Sequence, residues 1–173
     1  MAVRHRDAAG AVTRTLAAVV PALWLAAACT PTPALNAYWT GTDTGKVALP
    51  ARAALCGEHG PLLILAQSGD TGIGLAIYAA ESLVAGRYPI FDPTQGQLHT
   101  GAALAARWTR KLSMADLRGF QGDVTLDAVR PLLAGHFSGR TVGAVASASV
   151  SMEGSFKAIP VVAGGADCAG QSR

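Results

Sequence analysis

The chain has 173 residues, of which 50% are hydrophobic, 14% charged and 6% aromatic, with 20 Gly, 9 Pro and 3 Cys. That apolar fraction excludes an intrinsically disordered chain, and the length suffices for one domain with a sizeable core. Lys and Arg number 14 against 11 Asp and Glu, a formal charge of +3 spread without a basic cluster, which argues against a nucleic-acid-binding surface.

Residues 1–28 have the layout of a secretory signal peptide. Arg4, Arg6 and Arg14 face only Asp7, and the stretch from Thr15 to Ala28 is uncharged, with Leu16, Val19, Val20, Leu23, Trp24 and Leu25 as its apolar body. A run of 14 residues is short of the roughly 20 that a membrane-spanning helix needs, so a permanent transmembrane anchor is the weaker reading. Setting aside this leader leaves 11 basic and 10 acidic residues from Cys29 onward, a net charge of +1. The basic excess therefore belongs to the leader.

The run closes with Leu25-Ala26-Ala27-Ala28-Cys29. This segment resembles the lipobox of bacterial lipoproteins, in which small residues precede a cysteine that is acylated and becomes the mature amino terminus. The family prefers Leu where Ala26 stands, and Ala26-x-Ala28 also satisfies an ordinary signal-peptidase site, which would release a soluble secreted protein. Thr30 occupies the position where that family's inner-membrane retention signal carries Asp. The resemblance thus implies palmitate on Cys29 and an outer-membrane location facing the periplasm or the cell surface. Acyl chains contribute about 0.8 kcal/mol per buried methylene, so several chains on Cys29 would hold a soluble domain at a membrane. Residues 29–35 read as a lipidated tether, because Thr30-Pro31-Thr32-Pro33-Ala34 cannot continue a helix.

With Cys29 assigned to lipid, Cys56 and Cys168 form an even pair in an oxidising compartment, and a disulfide is the natural reading, with two unpaired thiols as the alternative. A metal site at Cys56-Gly57-Glu58-His59 has no second half elsewhere in the chain.

Residues 36–168 carry no internal linker and read as one all-β domain, an antiparallel β-sandwich or flattened barrel of about eight strands, followed by a disordered tail at 169–173. Strands are expected at Tyr38–Asp43, Val47–Cys56, Leu62–Gln67, Ile73–Ala79, Tyr88–Phe91, Ala103–Thr109, Asp123–Asp127, Leu132–Val142 and Val150–Ala158. The last shows the clearest alternation: Val150, Met152, Gly154, Phe156 and Ala158 on one face, Ser151, Glu153, Ser155 and Lys157 on the other. Gly57–Gly60, Ser68-Gly69-Asp70, Asp92-Pro93, Gly119–Gly122 and Gly143 supply turn chemistry between strands.

Ala102–Leu117 admits a helical stripe through Leu104, Trp108, Leu112 and Ala115, and the expectation adopted is a strand followed by a helical turn near Ser113–Leu117. Pro160 demotes Ile159–Val162 to an edge strand or a strand end. Gly135-x-Phe137 and Gly154-x-Phe156 recur in successive strands, which suggests that the rings fill the interior while the glycines let an opposite sheet approach.

From Ile73 to Cys168 the chain resembles small exported β-sandwich lipoproteins of bacteria without assigned function. The resemblance rests on Gly72–Tyr78, Gly86-Arg87-Tyr88-Pro89, Asp123–Leu126, Met152–Phe156 and Ile159-Pro160-Val161. It implies a fold and carries over no catalytic residue.

Chemical motifs are sparse. Gly41-Thr42-Asp43-Thr44-Gly45-Lys46 has three residues between its glycines where a Walker loop needs four, and Gly72-Ile73-Gly74 lacks the third glycine of a dinucleotide fingerprint. No Gly-x-Ser-x-Gly occurs, His59, His99 and His136 show no metal-ligand spacing, and the aspartates form no calcium loop. Asp123 and Asp127 share a strand face and read as solvated guards against edge association. His136, with Ser138 and Arg140 on its strand face, is a weak candidate for a polar binding surface. Trp39, Trp108, Tyr38 and Tyr78 could line a ligand groove, with core or rim packing as the favoured alternative in a chain so poor in aromatics; a groove around Trp39, Trp108 and Tyr78 requires their rings to be exposed and clustered.

The sequence thus leads to a membrane-anchored, non-enzymatic envelope lipoprotein without cofactor or metal, contacting the membrane through its lipid. A small-molecule or glycan binder is the alternative.

Overall fold

The computed structural model describes residues 31–41, 44–58, 60–95, 100–110, 113–143, 149–165 and 168. Residues 1–30, Cys29 among them, and His59, His99 and residues 169–173 lie outside the described residues. The strands are β1 (Ala34–Gly41), β2 (Gly45–Leu55), β3 (Leu62–Ser68), β4 (Thr71–Tyr78), β5 (Gly86–Pro89), β6 (Gly101–Arg110), β7 (Ser113–Ala128), β8 (Leu133–Gly143), β9 (Ser149–Ile159) and β10 (Val161–Ala163), with one short 3-10 turn at Pro93–Gln95.

Eight of these strands close on themselves. β1, β2, β3, β4, β6, β7, β8 and β9 each pair antiparallel with the next, and β9 returns to pair with β1 from Gly41↔Val150 to Ala34↔Lys157. The all-β antiparallel expectation holds, and the sheet forms an up-and-down barrel rather than two stacked sheets. Closure pairs both edges of a meander whose strands alternate apolar and polar residues.

An eight-stranded barrel has a lumen just wide enough for side chains to fill. Leu35, Leu62, Ile64, Leu75, Ile77, Leu104, Leu126, Leu133, Phe137, Met152, Phe156 and Ile159 occupy it, fully buried. Small residues make room for the large ones. A Cβ on Gly135 would lie 2.6 Å from the ring of Phe156, its register partner across β8 and β9. A Cβ on Gly154 would collide with the ring of Phe137, its own partner in the same ladder. Gly45 stands in the same relation to Trp39 across β1 and β2. These glycines therefore accommodate an aromatic ring from the adjacent strand, not an approaching second sheet.

The region from Ser113 to Leu117 is strand, not a helical turn: it begins β7 and pairs with β6 from Arg110↔Ser113 to Ala105↔Arg118. Nor do Gly119–Gly122 form a turn. They lie inside β7 at a register shift against β8, where β7 exchanges its partner β6 for β5, which pairs from Pro89↔Asp123 to Gly86↔Leu126. The shift turns Phe120 outward, where the Arg140 guanidinium sits 5.7 Å from its ring centroid. β5 fills the seam with buried Tyr88, whose hydroxyl donates to the Val84 carbonyl at 2.8 Å.

A second bulge lies in β9. Ala158 adopts φ 58°, and the register moves from Gly135↔Phe156 to Leu133↔Ile159, so Phe156 and Ile159 both point inward although three positions apart. Pro160 then ends β9, and β10 runs parallel to β2 as the expected edge strand.

Cys56 and Cys168 form a disulfide with Cα atoms 5.4 Å apart and a sequence separation of 112. It fastens the carboxy-terminal segment to the end of β2, and Gly164 N donates to Leu55 O at 2.8 Å beside it. Closing a loop of about 100 residues is worth about 4.7 kcal/mol on the chain-entropy model. Replacing both cysteines by Ser should lower unfolding free energy by up to about 5 kcal/mol, read from urea denaturation; an unchanged midpoint would refute a stabilising role. Gly154→Ala should cost about 1–3 kcal/mol by overpacking Phe137 in the same assay, whereas Gly69→Ala, with open space around its Cβ position, should report only the strain of its left-handed backbone.

Candidate functional site

The barrel interior offers no aromatic groove. Trp39 near the end of β1 and Trp108 near the end of β6 belong to strands four places apart in the ring, so they come from opposite walls. Their rings stack inside the lumen at 4.6 Å between centroids, with 23° between planes. The two residues are 8% and 7% exposed, and the indole Nε1 of Trp39 is buried without a hydrogen-bond partner. The pair is clustered as a ligand platform would require, but buried, and it plugs one mouth of the barrel. Tyr78 lies at the opposite end, its ring tilted against Phe91 at 5.7 Å. Trp39 and Trp108 are therefore packing residues, and Tyr78 shares no surface with them.

The outer wall carries two grooves. The first, of about 760 Å³, crosses β2, β1, β9 and β8 and is lined by Asn36, Tyr38, Lys46, His136, Ser138, Glu153 and Ser155 among others. Strand register builds it: Lys46↔Tyr38↔Glu153↔Ser138 form one row, and Ala48↔Asn36↔Ser155↔His136 the next. Tyr38, 49% exposed, is its aromatic element. The alternation that buries Trp39 sends Tyr38 outward. His136 lies in this groove, as its strand face predicts, with Nδ1 3.4 Å from a carboxylate oxygen of Asp127. Asp123 on the same face as Asp127 accepts a hydrogen bond from Arg87.

The second groove, of about 450 Å³, crosses β2, β3, β4, β6 and β7. Its floor is Gly72, Gly74 and Ala105, with Leu65, Gln67, Arg52, Arg107, Arg118 and Asp116 around it. Register again explains the grouping, since Arg52↔Leu65↔Gly74↔Ala105↔Arg118 form one continuous row across five strands. Arg107 and Arg118 sit on the two arms of the β6–β7 hairpin, whereas Arg52 reaches them only through the ladders of β3 and β4.

Two arginines of this groove are held by carboxylates. Arg107 Nε donates to Asp116 Oδ1 at 2.7 Å, which raises the guanidinium pKa through that hydrogen bond and the attendant charge attraction. Arg118 Nε lies 3.2 Å from Asp92 Oδ2, and the Asp92 side chain is only 8% exposed. Asp92 Oδ1 accepts bonds from the Thr94 hydroxyl at 2.7 Å and the Thr94 amide at 2.9 Å. The hydroxyl and amide of Thr94, with help from the Arg118 charge, hold the Asp92 carboxyl below its ordinary pKa against the opposing effect of burial.

Among the described residues, no three His, Cys, Asp or Glu side chains converge as a metal set would. Compared with known proteins, the chain matches no family model, no curated protein and no solved structure.

A carboxyl with a lowered folded-state pKa stabilises the fold above its unfolded value, about 3.9, and that stability is lost as pH falls through the folded value. Asp92→Asn should therefore reduce the urea midpoint at pH 7 and converge with wild type as pH falls below about 4. A deficit of equal size at pH 7 and pH 3 would refute the charge-based account of Asp92.

Proposed function

We propose that the mature protein is a lipid-anchored, non-enzymatic interaction module of the bacterial envelope, held at the membrane through Cys29 and binding its partner with the outer wall of the barrel. The observation that carries the reading is the filled lumen. Twelve large side chains and the Trp39–Trp108 stack occupy the interior, so recognition falls to the outer face. The leader, the Leu25–Cys29 segment and the Pro31 and Pro33 tether support anchoring. The Cys56–Cys168 disulfide is in keeping with an oxidising compartment outside the cytoplasm. The resemblance at Thr30 favours the outer membrane.

A second reading, a small-molecule or glycan binder, draws support from the first groove. Tyr38 offers an exposed ring, and Asn36, Ser138, Glu153, Ser155 and His136 offer donors and acceptors around it. Sugars present apolar faces and hydroxyl rims, and such a surface suits both. Of the four candidate rings, this reading keeps Tyr38 and sets aside Trp39, Trp108 and Tyr78.

Metabolic labelling with radioactive palmitate should tag the wild-type chain and leave Cys29→Ser unlabelled. Equal labelling, or none in either protein, would overturn the anchor and leave a secreted domain.

A further inference from the structure

We infer that the barrel mouth at which the chain enters β1 rests on the lipid surface, with Val84, Leu132 and Val162 dipping into the boundary between headgroups and acyl chains. This orientation rests on the anchoring reading, in which Cys29 holds the chain at a membrane.

Strand direction assembles the mouth. β1 starts there, β4 and β7 end there, β2 hands over to β3 and β9 to β10, as the pairs Ala34↔Lys157, Leu55↔Leu62, Tyr78↔Gly101, Ala128↔Ala134 and Val161↔Ala53 require. The β2–β3, β4–β5 and β7–β8 connections and β10 surround a cavity of about 380 Å³, lined by Leu55, Ile77, Ala79, Leu83, Val129 and Val161 among others. Six large apolar residues are exposed among the described residues, and three of them continue this lining. Val84 follows Leu83, Val162 follows Val161, and Leu132 stands just after Arg130 of the same rim. A lone exposed aliphatic residue carries no meaning, but three around one apolar opening form a patch. Val84 is also held in place: its amide donates to the buried Tyr88 hydroxyl at 3.2 Å and its carbonyl accepts from that hydroxyl at 2.8 Å, while the residue stays 57% exposed. The opposite mouth is plugged by the Trp39–Trp108 stack and shows Met114 as its one exposed large apolar residue among the described residues.

The path of the chain selects the membrane as occupant. Pro33 is fixed to the barrel, its carbonyl accepting from the Ala51 amide at 3.3 Å. Cys29 is four residues upstream, a span of at most about 14 Å when extended. The opposite mouth lies a further eight residues along β1, about 26 Å of strand. A lipid on Cys29 therefore keeps the β1 mouth against the bilayer. So short a tether gives an effective concentration on the order of millimolar, at which weak contacts from a few aliphatic side chains suffice to set orientation.

Charge selects the kind of lipid. Glu58, Glu81 and Arg130 are exposed around the opening. Both signs suit a zwitterionic headgroup, ammonium to carboxylate and phosphate to guanidinium, and the lining has no basic excess to favour anionic lipid. The surface that fits is rich in phosphatidylethanolamine.

Hydrogen exchange read by mass spectrometry tests the orientation. All strands and the disulfide lie within the compact unit Pro31–Arg173, so the chain from Cys29 onward can be used, unacylated, with its Cys29 thiol joined to a maleimide lipid in phosphatidylethanolamine–phosphatidylcholine vesicles. Because this link is chemical, a negative palmitate labelling would sink natural anchoring and leave the orientation measurable on its own. Coupling should slow exchange over 79–85 and 161–163 at least about fivefold and leave the 68–71 turn at the opposite mouth unchanged. The double variant Val84→Asp/Val162→Asp, and separately Leu132→Asp, should lose the slowing at an unchanged urea midpoint, whereas Met114→Asp should keep it. No slowing at the β1 mouth, equal slowing at both mouths, or slowing that survives all the β1-mouth variants would each overturn the orientation. Slowing confined to phosphatidylglycerol vesicles would overturn the choice of lipid. Slowing in the uncoupled chain as its concentration rises would also overturn the inference, because the mouth would then be a contact between copies.

Discussion

Closing eight strands into a ring leaves an interior that only the chain's own side chains can fill, and every inward position must fit a fixed volume. This chain meets the constraint by pairing large with absent. Phe156 lies over Gly135, Phe137 over Gly154 and Trp39 over Gly45, each ring covering a glycine on the adjacent strand. Trp39 and Trp108, from opposite walls, complete the packing at one mouth. An aromatic ring over a cross-strand glycine contributes its own burial and shields backbone that glycine leaves bare. The low aromatic content of the chain follows, since a few rings suffice for so narrow a lumen.

The remaining irregularities serve the same closure. β7 is too long for β6 alone, so β5 takes over its lower half and the bulge at Gly119–Gln121 absorbs the change of partner. At the end of β9, Ala158 accepts a left-handed backbone so that both Phe156 and Ile159 can face inward. Among the described residues, buried Thr141 donates its hydroxyl to the Val150 carbonyl. The disulfide and β10 then fix the carboxy-terminal segment beside β2.

A filled interior assigns function to the outer wall. There the strand ladders act as a coordinate grid, placing residues from distant parts of the chain at neighbouring sites. Tyr38, His136 and Glu153 meet on one side and Arg52, Arg107 and Arg118 on another, with Asp92 and Asp116 orienting two of the arginines.

Several features were legible in the sequence because they are local. Alternation along single strands identified the all-β class and the inward face of β9 as far as Phe156, beyond which the bulge at Ala158 turns Ile159 inward in place of Ala158, and the parity of cysteines, with Cys29 set aside, identified the Cys56–Cys168 pair. The strand face of His136 was equally readable, as was the edge character imposed by Pro160. Alternation also places Tyr38 opposite Trp39, a signal available in the sequence and obscured by treating both rings as one groove. Other properties required strand register, which is non-local. Whether the meander folded into two sheets or one ring depended on β9 meeting β1, a pairing of segments more than 100 residues apart. The continuation of β7 through Ser113–Leu117 and across two glycines depended on its partners, because helical periodicity and strand alternation overlap in that short Ala-rich stretch. The approach of Arg52 to the β6–β7 hairpin that carries Arg107 and Arg118 likewise depended on the ladders of β3 and β4. The sequence by itself determined which residues face inward along the regular stretches of each strand, because side-chain alternation is a property of one chain segment; at the bulges of β7 and β9 that alternation breaks. Only the tertiary structure decided which of those faces became neighbours, because hydrogen-bond register between segments sets that choice.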